Sequence, residues 1–173
     1  MAIAQYLLAE FEAQAPVTRR FLERLPEDKL TWKPHPKSMS AGQLALHLAR
    51  VPGAVVQSAQ QDSVPPNDFG NIPQPASVRQ VLTTFDESVA TVKNVLPRLD
   101  DARMHGTWRV VQDGQEIFAM PRGEFLRNIM LNHWYQHRGQ FAVYLRLLNV
   151  AVPASWGPSA DELPPFTQKA QKA

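Results

Sequence analysis

His133 and His137 stand four residues apart in a stretch without proline, and His47 lies far upstream between leucines. Four-residue spacing on a helix puts both imidazoles on one face, about 5–6 Å apart at Cβ, so one rigid element can chelate an ion. The third imidazole sits in a second apolar helical stripe, Leu44, His47, Leu48, Val51 and Val55. Three nitrogen ligands with an open position is the arrangement of catalytic zinc sites, and imidazole also suits nickel, copper and iron(II). The bland alternative is three core histidines bonded to neighbouring groups. Against it stands the cost of burying several imidazoles without partners. His35, in a Pro-rich loop, and His105, beside Gly106, read as surface residues.

The surrounding residues narrow the chemistry. His133-Trp-Tyr-Gln-His137 has no Glu after its first histidine, so the general base of a HExxH peptidase is missing. Gln140 and Tyr144 share the face of His137. Each is either an orienting group for a ligand or a core polar residue bonded to another helix. Gly139 in mid-helix invites close approach of another helix or subunit. Trp32, Trp108, Trp134 and Trp156 are candidates for a pocket wall, an interface or plain packing. With no cysteine, disulfides, thiolate sites and a cysteine nucleophile are excluded. A net charge of +2 with interspersed signs offers no basic stripe for nucleic acid, and no apolar run is long enough for a bilayer. The opening MAIAQYLLAEFEAQ reads as a helix and not a signal peptide, giving a cytoplasmic expectation.

The elements that must position these residues are helical. Apolar periodicity predicts helices over about 2–25, from Ser40 as N-cap, over 77–96, and over 122–149. Pro16 and Pro52 predict kinks, or at Pro52 an early end. On the last helix, Leu126, Ile129, Met130, His133, His137, Gln140, Tyr144 and Leu148 fall on one face, and Arg127, Arg138, Ala142 and Arg146 on the other. Residues 61–76 read as a long connection permitting a crossover. Asp113-Gly114 between β-prone runs predicts a short hairpin over 107–120. The expectation is an all-α four-helix bundle with a long crossover after helix 2 and a β-hairpin before helix 4. It forms a single domain over 1–162, followed by a flexible tail over 163–173.

The segments LPEDKLTWKPHPKSMSAGQLALHLARV and NHWYQHRGQFAVYLRLLNVAVPASWGPSADE resemble the DinB/YfiT-like superfamily of metalloenzymes. The NHxxxHRGQ element, followed by YLR and a Gly-Pro-Ser segment, carries most of the likeness. The resemblance implies a four-helix bundle and a three-histidine site holding nickel or zinc, with His47 matching the second-helix ligand and His133 and His137 the fourth-helix pair. It also implies homodimers, and by analogy with better-understood relatives a thiol-dependent transferase using a low-molecular-weight thiol. Two functions stay open: a metal-dependent transferase or hydrolase acting on small molecules, and a non-catalytic metal- or ligand-binding stress-response protein. Neither nucleic acid nor membrane is expected as a partner.

Overall fold

The computed structural model describes residues 2–66 and 71–164. Helix α1 spans Ile3–Glu23 and buries Leu7, Phe11, Thr18 and Leu22, the stripe that three- and four-residue spacing predicts. Helix α2, Ala41–Ser58, begins in a capping box. The Ser40 hydroxyl accepts from the Gln43 backbone N–H at 3.1 Å, and the Gln43 side chain accepts from the Ser40 N–H at 3.0 Å. Helix α3, Val78–Val95, is capped by Ser77 in the same sense. Both α1 and α2 continue through their prolines, so the early end expected at Pro52 does not occur.

Proline lacks an N–H, so Pro52 leaves the carbonyl of Leu48 without its intrahelical donor. Trp134 supplies one instead, its Nε1–H donating to Leu48 O at 2.9 Å. The next N–H, of Gly53, donates to Ser88 Oγ of α3 at 2.8 Å. A Cβ on Gly53 would lie 2.9 Å from Ser88 Cα, so glycine permits this close approach of α2 and α3. A helix that would be strained alone is thus completed by its two neighbours.

The connection after α2 is more structured than a plain crossover. Strand β1, Ser63–Val64, pairs parallel with β2, Thr107–Gln112, which pairs antiparallel with β3, Gln115–Pro121. The chain is therefore mostly helical with a three-stranded sheet, where an all-α bundle with a lone hairpin was expected. Two residues of parallel pairing carry almost no local pattern, and the partner lies more than forty positions away. The hairpin itself turns at Asp113 (φ 51°) and Gly114 (φ 78°), the two positive dihedrals that a tight hairpin turn requires. Between α3 and β2 lies the short helix α4, Asp101–His105.

The last helix is not one uninterrupted α-helix over 122–149. It consists of α5, Arg122–Phe125, a π-helical segment over Leu126–Asn132, and α6, His133–Leu147. A π turn takes one more residue than an α turn, so everything after it is rotated by about 100°. The predicted inward stripe of His133, His137, Gln140 and Tyr144 is accordingly displaced by one residue. The buried positions of α6 are Trp134, Arg138, Phe141 and Leu145. Arg138, placed by sequence on the outer face, is buried. Its guanidinium lies over the rings of Phe21 (5.9 Å) and Tyr135 (5.2 Å) and donates to Thr18 Oγ1. The same rotation brings His133 and His137 to the edge of the core instead of its middle.

Beyond α6 the chain returns over the helices. Asp161 and Glu162 accept from the backbone N–H groups of Val152 and Ala154, and they pair with Arg146 and Arg20. Of the tail expected from residue 163, Pro164 is buried and residues 165–173 lie outside the described residues. Buried side chains from α1, α2, α3 and α6 form one apolar cluster. Among the described residues, no helix is long and apolar enough to cross a membrane.

Candidate metal centre

The three histidines singled out by spacing come together. His47 projects from α2 and is 6% exposed, while His133 opens α6 directly after the π-helical segment and His137 follows one turn later. Ring centroids are 5.2 Å apart for His47 and His133, 4.5 Å for His47 and His137, and 4.3 Å for His133 and His137. One nitrogen from each lies within 4.8 Å of the others. The Nε2 atoms of His133 and His137 stand 2.9 Å apart. Two ligand nitrogens of a tetrahedral ion at about 2.0–2.1 Å would stand about 3.3 Å apart, so this pair needs to open by only a few tenths of an ångström.

The electrostatics favour neutral imidazoles. Burial, followed by the charges of His137, His133 and Arg50, pushes the His47 pKa down to about 4. His133 is lowered by burial and then by His137, and His137 is lowered by burial against the opposing effect of its bond to Gln140. A lone pair free of protons is what a metal ligand must offer. Gln140 Oε1 lies 2.8 Å from His137 Nδ1, which places the proton there and leaves the Nε2 lone pair to accept from His133 Nε2–H until an ion takes that place. His47 Nε2 is buried with no hydrogen-bond partner, as is His133 Nδ1. Orphaned buried nitrogens are costly; an ion between the rings would satisfy the first. The donor set therefore fits a borderline cation such as zinc or nickel.

Above the rings opens a cavity of about 590 Å³. Trp108 and Phe125 form one wall, stacked at 3.8 Å between centroids, and Val51, Val55, Ile129 and Phe118 form others. Among the described residues no aspartate or glutamate lines it, and beyond the histidines the polar side chains are Arg50 and Asn71. Local structure explains how these distant segments meet. Buried Arg122 donates to Asp62, Gln61 O and Arg103 O, tying the hairpin and α4 to the end of α2. Gln43 donates to Ile72 O and Gln74 to Leu30 O, which lays the returning loop along the start of α2. Met39, at the pocket edge, is held by the Tyr144 hydroxyl donating to its carbonyl.

The remaining candidates sort plainly. Gln140 takes the orienting reading, being exposed and bonded to His137. Tyr144 takes the structural one, bonded to Met39 and packed edge-on to Trp32. Among the tryptophans, Trp108 walls the pocket, Trp134 is core and Trp156 is exposed against Tyr135. His35 and His105 are exposed. Gly139 faces open space, with nothing within 4 Å of a Cβ built on it. Sequence reading missed Arg50, Asn71, Phe118 and Phe125. They come from four separate segments, and no periodicity links them; Arg50 alone had a signal, standing one turn from His47.

Comparison with known proteins finds the same fold in solved structures. The uncharacterized protein YrdA of Bacillus subtilis strain 168 is 25% identical over 169 residues, which is 96% of each chain. The crystal structure of a DinB-like protein from Bacillus cereus ATCC 10987 superposes with a TM-score of 0.67 at 20% identity. It covers 87% of this chain and 95% of its own. The DinB-like protein YjoA of B. subtilis gives 0.61 at 17% identity, covering 91% and 98%. The family model of the DinB superfamily matches residues 10–141, a span that includes all three histidines. This chain belongs to the DinB superfamily.

Proposed function

We propose that His47, His133 and His137 are ligands of one divalent transition ion, nickel or zinc, and that the chain is a metal-dependent enzyme acting on a small molecule held in the cavity above them. The observation that carries this reading is the meeting of three neutral imidazoles within 4.8 Å at the base of that cavity, with His47 Nε2 buried and otherwise unpartnered. Bound there, the ion would supply Lewis acidity and lower the pKa of a water or thiol in its open position. The chain's own contributions follow from its contacts. Gln140 keeps the His137 proton on Nδ1, the Trp108–Phe125 wall excludes water, and the bond from Trp134 to Leu48 O fixes the distance between the two ligand-bearing helices.

Transfer to or from a low-molecular-weight thiol, or hydrolysis, are the reaction classes such a site serves. The reading extends to a four-helix bundle formed by the long helical stretches, to one domain through residue 162, and to a cytoplasmic homodimer. Untagged protein should carry about one nickel or zinc per chain, and His133→Ala should not. Failure of the folded protein to take up either ion in excess would reject the reading. A second reading, a metal- or ligand-binding protein without turnover, is favoured by one observation: among the described residues no carboxylate lines the cavity to act as acid or base. Saturable turnover of electrophiles with a thiol panel, abolished in His133→Ala, would exclude it.

A further inference from the structure

Among the described residues lining the cavity, Arg50 is the one cationic side chain. It lies three residues after His47 on α2, hence on the same face and about one turn away. It is exposed at the cavity mouth, and among the described residues no carboxylate, carbonyl or ring accepts from it. Arg19, Arg20, Arg103, Arg109, Arg122, Arg127 and Arg146 are each paired with an acid; of the exposed arginines without such a pair among the described residues, Arg50 alone lines the cavity. Asn71, whose side-chain amide has no hydrogen-bond partner among the described residues, lines the same cavity. The other described residues of the wall, apart from the histidines, are apolar and aromatic.

We propose that the cavity binds a small amphipathic monoanion, a carboxylate with an aryl or branched-alkyl body, whose carboxylate is received by Arg50 while its apolar body lies along Trp108 and Phe125. Guanidinium meets a carboxylate through two parallel N–H donors, and such charge-assisted bonds are about twice as strong as neutral ones. One cation in a wall whose other described residues carry no charge matches a single negative charge better than a phosphate dianion. A volume of about 590 Å³ holds a ligand of ordinary small-molecule size. The inference deepens the proposed function and rests on its reading of the cavity as the substrate site; it does not need the ion.

The test is calorimetric titration of chelator-treated full-length protein with ω-phenylalkanoates of two to six carbons and with their neutral amides. The acids are expected to bind saturably and about tenfold more tightly than the amides, with the difference shrinking as ionic strength rises. Arg50→Gln should bring acid and amide to the same affinity, and Arg50→Lys should restore part of the preference. Because Arg50 is exposed and has no ion-pair partner among the described residues, neither variant disturbs the fold. Equal affinities in the wild type, a preference that survives in Arg50→Gln, or no saturable binding by any acid would each overturn the proposal. Metal content measured on the untreated protein reports separately on the ion, so a protein that takes up no metal yet prefers acids refutes only the metal reading.

Discussion

Acid should weaken the metal-free protein through His47 by an amount that can be worked out in advance. In the unfolded chain this imidazole takes up a proton near pH 6.5; in the folded chain burial and the neighbouring positive groups delay that to about 4. Between those values the unfolded state holds about one more proton than the native state. Stability from this group is therefore complete above about pH 6.5 and is lost as pH falls towards 4, at about 1.4 kcal/mol per pH unit. At pH 5 the loss is about 2 kcal/mol, and it approaches about 3 kcal/mol at pH 4. The assay is urea unfolding of chelator-treated protein at half-unit steps from pH 7.5 to 4.5, followed by far-ultraviolet circular dichroism. Carboxylates titrate in the lower part of this range, so the decisive quantity is the difference in slope between the wild type and His47→Gln. The variant should lose most of the dependence between pH 6.5 and 5 that His47 contributes. Parallel curves for the two proteins would refute the claim that His47 is buried as a neutral base.

Three further outcomes follow from individual contacts. Gln140→Ala should leave unfolding by urea unchanged, because its side chain is exposed, yet weaken zinc or nickel affinity by about 10- to 100-fold in a chelator competition. Trp134→Phe should cost about 2–4 kcal/mol, from lost packing and an unsatisfied Leu48 carbonyl. In that background Pro52→Ala should be more favourable than in the wild type by about 1 kcal/mol, since alanine returns the missing donor; a double-mutant cycle with no coupling would contradict this. Gly53→Ala should destabilise by about 1–3 kcal/mol, because its Cβ meets the Ser88 backbone at 2.9 Å; unchanged thermal unfolding would show that α2 and α3 separate freely.

The parts of the fold that local chemistry dictates were legible in the sequence. Ser40 and Ser77 cap where hydroxyls precede apolar repeats, Asp113-Gly114 turns where positive φ is needed, and His133 and His137 share a face because four residues make about one turn. His47 could be linked to them because it interrupts an apolar stripe. What was not legible depends on distant partners. The π-helical segment has an apolar pattern equally suited to an α-helix; only its packing selects the longer turn, and with it the burial of Arg138. Strand β1 exists because β2 is beside it. The place of Arg50 at a cavity mouth required knowing where the hairpin folds.

The bond forced by Pro52 has a wider meaning. Its two ends are Leu48, next to His47, and Trp134, next to His133, so the missing amide hydrogen of one imino acid becomes a crossbar between the halves of the histidine cluster. The gap between those halves is thereby set when the polypeptide folds, before any guest arrives. A scaffold that fixes its aperture in this way should discriminate by the radius of what enters, and should show little change of shape on loading. Exchange of the indole hydrogen of Trp134 would then report on how rigidly that aperture is kept.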